Sequence, residues 1–110
     1  MVKWYLVAHI RVHDKDGFEK FKAMSGPVIS EYGGKVLVRN HNSDTREGDP
    51  SGIAIIIEFE SIEDARKFYE SDKYTEARIV RELAAETNLI LVEGIWRVNK
   101  VTDNGADLPW

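Results

Sequence analysis

Four apolar, β-branched runs are interleaved with two helical stretches in the order strand, helix, strand, strand, helix, strand, and that order leaves few folds open to the chain. Residues 4–12 are the first strand, with polar side chains starting to alternate with apolar ones at His9 and Arg11. Asp16 is the expected N-cap of the first helix, with Glu19 three residues later as its capping-box partner. Phe18, Phe21, Met24 or Ser25, Val28 and Tyr32 then recur at helical spacing. Gly26-Pro27 falls inside this stretch; proline removes a helical hydrogen bond and crowds the preceding turn, so a kink or short break is expected there. Gly33-Gly34 ends the helix, because glycine takes the left-handed cap conformation at little cost.

Residues 35–41 read as a second strand, 42–52 as a polar loop and 53–60 as a third strand. Ser61 with Asp64 caps a second helix whose inner stripe is Ile62, Ala65 and Phe68 or Tyr69. Ser71-Asp72 interrupts it and caps a continuation through Glu86, with Tyr74, Ala77, Val80 and Ala84 facing inward. Residues 89–98 are the fourth strand, so the expected domain is 1–98, followed by a C-terminal extension, 99–110. Right-handed crossovers turn a βαββαβ order into an α+β, ferredoxin-like fold: a four-stranded antiparallel sheet with its helices on one face. A chain of 110 residues accommodates one such domain.

Alternation divides the strands into two faces. One carries Trp4, Leu6, Ala8, Ile10, Val12, Val36, Val38, Ile53, Ile55, Ile57, Phe59, Ile90 and Val92, and is apolar enough to lie under the helices. The other carries Tyr5, Val7, His9, Arg11, Leu37, Arg39, His41, Ala54, Ile56, Glu58, Leu89, Leu91, Glu93 and Ile95. That second set is too apolar for open water and too polar for a sealed core. A second sheet laid against it in a homodimer would remove several hundred Å² from water, at roughly 25 cal/mol per Å² before association costs.

Composition removes several alternatives. A net charge of -4 and a pI near 5.4 argue against nucleic acid and against an anionic membrane surface as partners. With no cysteine, disulfides, thiolate catalysis and zinc–thiolate sites are excluded. No run approaches the roughly 20 apolar residues of a membrane span, and no signal-peptide pattern opens the sequence, so a cytoplasmic location is the default.

The mixed face offers one ionisable side chain from each strand: His9, Arg39, Glu58 and Glu93. Arg39 suits a ligand carboxylate, held in two-pronged fashion. Glu58 or Glu93, partly desolvated, could serve as a base, and His9 as a proton shuttle. The competing reading pairs Arg39 with Glu58 or Glu93 across the dimer interface, as buried charges are normally paired. Tyr74, Arg78 and Arg81 form a second cluster on the helical continuation, either edging a pocket between helix and sheet or belonging to a solvated helix face. His9, Glu58, Glu93 and His41 have no recognised metal-ligand spacing, so no metal and no cofactor is expected.

Several segments resemble a known family. Glu31-Tyr32-Gly33-Gly34-Lys35-Val36-Leu37-Val38-Arg39 is similar to its YGG-(R/K)-x-L-x-R segment, and Ile57-Glu58-Phe59-Glu60-Ser61 followed by Glu63-Asp64-Ala65 to its IEFPS…A segment. Ser71-Asp72-Lys73-Tyr74 with Ala77-Arg78 resembles its S-x-x-Y-x-x-A-R helix, and Leu91-Val92-Glu93-Gly94 its closing LVEG. In that order, from about Trp4 to Ile95, these resemble domain-of-unknown-function family 1330, a branch of the dimeric α/β-barrel superfamily. The loop 42–52 and the tail after Ile95 depart from the pattern. The resemblance implies the ferredoxin-like fold and a barrel-forming homodimer, and no defined activity. Relatives in the superfamily include cofactor-free monooxygenases, haem-handling enzymes and lactone isomerases. Two functions follow as expectations. One is a dimeric protein that binds a small, acidic or hydroxylated organic molecule through Arg39, His9, Glu58, Glu93, Tyr74 and Arg81, or turns it over without a cofactor. The other is a non-catalytic dimeric interaction module.

Overall fold

The structure, a computed structural model, describes residues 2–48 and 51–95. The end of the expected fourth strand and the extension 99–110 lie outside the described residues. Elements follow as β1 (Trp4–Val12), α1 (Lys15–Glu31), β2 (Lys35–Asn40), β3 (Ile53–Phe59), α2 (Ile62–Glu70), α3 (Asp72–Ala84) and β4 (Ala85–Glu93). The four strands form one antiparallel sheet in the order β2-β3-β1-β4, the ferredoxin-like arrangement expected from the sequence.

The N-terminus of α1 differs from expectation. Asp14, in extended conformation, is the cap and accepts a hydrogen bond from the Gly17 amide at 3.2 Å. The helix starts early because the amides of His13 and Asp14 both donate to the Ala84 carbonyl, at 2.9 and 3.1 Å, which turns the chain as soon as β1 ends. Asp16 sits in the first turn instead, where a carboxylate favours the helix dipole. Gly17 is needed at this seam: a Cβ there would lie 2.9 Å from the Ala84 Cβ.

Nor does α1 break at Pro27; it runs without interruption from Lys15 to Glu31. The carbonyl deprived of its partner belongs to Ala23, which is exposed and open to water. Buried Phe18 and Phe21 before the proline, and Val28 after it, hold both halves against the sheet. The C-terminus matches the glycine expectation closely. Gly33 has φ +76°, its amide donates to the Ser30 carbonyl, and the Gly34 amide donates to the Ile29 carbonyl at 2.8 Å, which is a Schellman motif.

Ser61 caps α2 by accepting from the Asp64 amide at 3.1 Å. Ser71 joins α2 to α3: its hydroxyl donates to the Phe68 carbonyl (2.8 Å) and accepts from the Tyr74 amide (3.1 Å). One side chain thus satisfies the last turn of one helix and the first turn of the next.

Two strands are phased differently from the sequence reading. β4 begins at Ala85, with no loop after α3, so Glu86 lies in the strand. The small, buried Ala84 and Ala85 let the chain turn directly under the start of α1, and Val12 pairs with Ala85. Leu6 consequently faces Leu91 and Ala8 faces Leu89, which puts Leu89 and Leu91 against the core and leaves Ile90 and Val92 on the open face. In β2 a bulge occurs between Val36 and Val38: Val36 pairs with Ile57, but Val38 pairs with Ile56 and Arg39 with Ile55. The extra residue, Leu37, reverses the alternation after it. Val38 is therefore on the open face, and Arg39 is on the helix-covered one.

The core lies between the helices and the covered face. Leu6, Ala8, Ile10, Ile57 and Phe59 come from the sheet, and Phe18, Phe21, Ala65, Phe68, Tyr74 and Ala77 from the helices. Phe59 and Phe68 are fully buried with ring centroids 5.3 Å apart, and Phe68 continues to Tyr74 at 4.4 Å. Among the described residues, no helix is long and apolar enough to cross a membrane.

Candidate functional site

A cleft of about 330 Å³ lies between α1 and the β2–β3 side of the sheet. Its walls are apolar: Phe18 and Ile29 from α1, and Val36, Ile53, Ile55 and Ile57 from the strands. Lys22 of α1, Arg39 of β2 and His41 just beyond it supply its ionisable groups, and no carboxylate is among the residues that line it. Lys22 is engaged with Glu19 at 2.7 Å on the outer surface of α1. Arg39 has no ion pair among the described residues. The volume falls within the range of pockets that take small organic ligands.

A smaller cavity of about 40 Å³ lies further in and shares Ser25, Ile29, Ile55 and Ile57 with the cleft. Tyr74 and Arg81, on the inner face of α3, line it. Both are buried, with 3% and 4% of their surface exposed. The Arg81 guanidinium donates through Nη1 to the Tyr74 hydroxyl at 2.5 Å and packs over the rings of Phe21 and Tyr74, at 5.4 and 5.9 Å from their centroids. Its Nε is buried without a hydrogen-bond partner, and no carboxylate pairs with it among the described residues. Burial pushes the Tyr74 phenol above its ordinary range, with the charge and hydrogen bond of Arg81 pulling the other way.

The side chains expected to converge are distributed over both faces. Arg39 reaches the cleft because of the Leu37 bulge. Glu93 pairs with Trp4 and so falls on the covered side, at the end of β4 and exposed. His9 and Glu58 remain on the open face, paired in register with Ala54 and Tyr5. Glu58 accepts from the Tyr5 hydroxyl at 3.2 Å and from Lys3 Nζ at 3.4 Å. Glu58, and then Glu60, draw the Lys3 amine above its usual range. The four-residue cluster of Arg39, Glu58, Glu93 and His9 is therefore not assembled within one subunit. Tyr74 and Arg81 are brought together, whereas their neighbour Arg78 is half-buried and paired with Glu82 at 3.3 Å.

Lys22, Ser25 and Asn40 also line the cleft without having been singled out by sequence. Ser25 carried the one available signal, a polar residue on the apolar stripe of α1, where it is buried.

The comparisons with known proteins agree with this architecture. The family model for a domain of unknown function, DUF1330, matches residues 3–95. No curated protein matches the chain. Among solved structures, a protein of unknown function from Rhodopseudomonas palustris, RPA0582, superposes with a TM-score of 0.71 at 18% identity, covering 87% of this chain and 85% of that one. SnoaB, a cofactor-independent oxygenase from Streptomyces nogalater, superposes at 0.61 with 13% identity, over 91% of this chain and 100% of the other. A protein from Bacteroides fragilis described as dimeric, of unknown function and with a ferredoxin-like fold, superposes at 0.57 with 12% identity, over 83% and 95%.

Proposed function

This chain belongs to the DUF1330 family, and we propose that it is a homodimer in which each subunit binds a small acidic organic molecule in the cleft between α1 and the sheet. The observation that carries the ligand reading is the lining: an apolar wall with Lys22, Arg39 and His41 around it and no carboxylate. In a protein with a net charge of -4, a cleft where Arg39 has no ion pair among the described residues is a departure from the whole, and it favours an anion. Arg39 holds the acidic group, and the isoleucines and Phe18 cover the body of the ligand.

The homodimer reading rests on the open face. Val7, Ile56, Ile90 and Val92 make an apolar centre, with Ile90 58% exposed in the subunit, and Tyr5, Glu58, His9 and Arg11 lie towards its ends. An apolar centre with a polar rim is the usual plan of an interface. The dimeric description of the Bacteroides fragilis structure favours a second copy as the occupant. His9 and Glu58 then sit in the interface, where they can pair between subunits.

For a catalytic site, the imidazole of His41 is the side chain at the cleft that can both accept and donate a proton. The fold shared with a cofactor-independent oxygenase favours chemistry without a bound group.

Titration calorimetry with short carboxylic acids and their amides tests the ligand reading. Acids are expected to bind more tightly than amides by about tenfold, roughly one charge-assisted contact, and Arg39→Gln to remove the difference. Equal binding of acid and amide would overturn it. Light scattering should give twice the 12.6 kDa chain mass, and Ile90→Lys should halve it. A folded subunit of single mass at micromolar concentration would overturn the dimer.

A further inference from the structure

Arg81 is a buried cation that nothing among the described residues neutralises. Its only polar contact is the Tyr74 hydroxyl, its Nε has no partner, and no carboxylate approaches it among the described residues. The aromatic rings of Phe21 and Tyr74 soften the burial without supplying a counter-charge. Tyr74 does not supply one either, because burial keeps its proton on. An unpaired buried charge is costly to a fold, by several kcal/mol as a class, and its usual resolution is a counter-ion. The cavity beside Arg81, about 40 Å³, is large enough for a carboxylate and shares four lining residues with the cleft.

Taken with the reading of the cleft given above, on which this inference rests, cationic groups stand on either side of the lining that the two cavities share: Arg39 and Lys22 at the cleft, Arg81 at the smaller cavity. We propose that the Arg81–Tyr74 pair is the inner anchor of the site, and that the ligand is a dicarboxylic acid with an apolar middle. One carboxylate accepts from the Arg81 guanidinium and the Tyr74 hydroxyl. The other lies at Arg39, and the methylene span rests on Ile29, Ile55 and Ile57. Tyr74 then has a purpose beyond packing: it orients the guanidinium, and its own proton becomes available to the incoming oxygen.

Adipate, its half-amide and hexanoate share a carbon count and differ in charge at one end, so they separate the two anchors. Calorimetry on the full chain is expected to show adipate binding about tenfold more tightly than hexanoate or the half-amide. Arg81→Met should bring the three to one level, and Arg39→Gln should do the same from the other end. Circular dichroism checks that the variants fold; Arg81→Gln, which keeps hydrogen bonding and loses the charge, decides the question should the methionine variant not fold. Adipate keeping its advantage in both Arg81 variants would overturn the inner anchor and leave the cleft reading standing. Hexanoate and adipate binding equally to the native protein, with both lost in Arg39→Gln, would do the same. Failure of all three compounds to bind the native protein would overturn the cleft reading, and the anchor with it.

Discussion

The two faces of the sheet are built from the same kinds of residues and have opposite fates. The covered face buries Leu6, Ala8, Ile10, Ile57 and Phe59 beneath three helices. The open face presents Val7, Ile56, Ile90 and Val92 between polar neighbours, and no helix among the described residues lies over it. On the covered face, polar groups occur where packing is incomplete: Arg39 in the cleft and Arg81 with Tyr74 behind it. On the open face, polar groups remain in contact with water and with one another, as in the Tyr5–Glu58–Lys3 group. In the function proposed above, the same residue types serve a ligand site where they are enclosed and a contact surface where they are not.

The largest expected contrast is in packing. Phe68→Ala, on the fully buried side, should lower stability to urea by about 3–5 kcal/mol, whereas Ile90→Ala measured on dissociated subunits should cost less than about 1 kcal/mol. Similar losses at both positions would show that the open face is not open.

Hydroxyl deletion sharpens the comparison. Tyr74→Phe takes the hydrogen bond from a buried guanidinium and should cost about 1–3 kcal/mol, against about 1 kcal/mol or less for Tyr5→Phe, whose bond to Glu58 is partly solvated. The two should also differ in pH dependence. The Tyr74 phenol keeps its proton in the folded state above the ordinary 10.0, while the unfolded chain loses it there. Its contribution is thus fully present below pH 10 and is lost as pH rises through the folded value. The native protein should become less stable on the alkaline side of 10, and Tyr74→Phe should flatten that decline; an unchanged slope in urea titrations at pH 9 and pH 11 would count against a buried neutral phenol.

The smallest expected effect concerns the boundary between the faces. Deleting Leu37 removes the bulge and leaves Val38 opposite Ile56 and Arg39 opposite Ile55, so β2 alternates simply and Arg39 and His41 keep the covered side. Stability should fall by about 1 kcal/mol, an ordinary cost for a change at an exposed edge strand. The acid preference of the cleft should survive the deletion, because Arg39 keeps its partner Ile55. Loss of the preference with the fold intact would show that the register of Arg39 is not what places it at the ligand.

Much of the closed face was legible in the residues, and the open face and the site were not. Leu6, Ala8 and Ile10 alternate cleanly, so β1 was readable from one end to the other. In β2 the run Val36-Leu37-Val38 is apolar at every position, and a period of two cannot be located in it; the bulge was invisible for that reason. At the end of α3, Ala84 and Ala85 suit helix and strand alike, so the point of exit was set by the Ala84 carbonyl receiving two amides from the end of β1, a contact between residues some seventy positions apart. Arg81 looked like part of a charged helix face beside Arg78 and Glu82. Its burial depends on α3 lying against Phe21 of α1, which helical spacing alone cannot foretell.

By itself the sequence determined the order of elements, the caps at Ser61 and Ser71, the glycine stop after α1 and the fold class. These depend on hydrogen bonds and side-chain periods that close within a few residues. Only the tertiary structure decided which of Arg39, His9, Glu58 and Glu93 share a face, and that Arg81 is enclosed without a counter-ion among the described residues. Those facts are set by strand register and helix packing, where a slip of one residue exchanges the two sides of a strand and no local energy term records the difference.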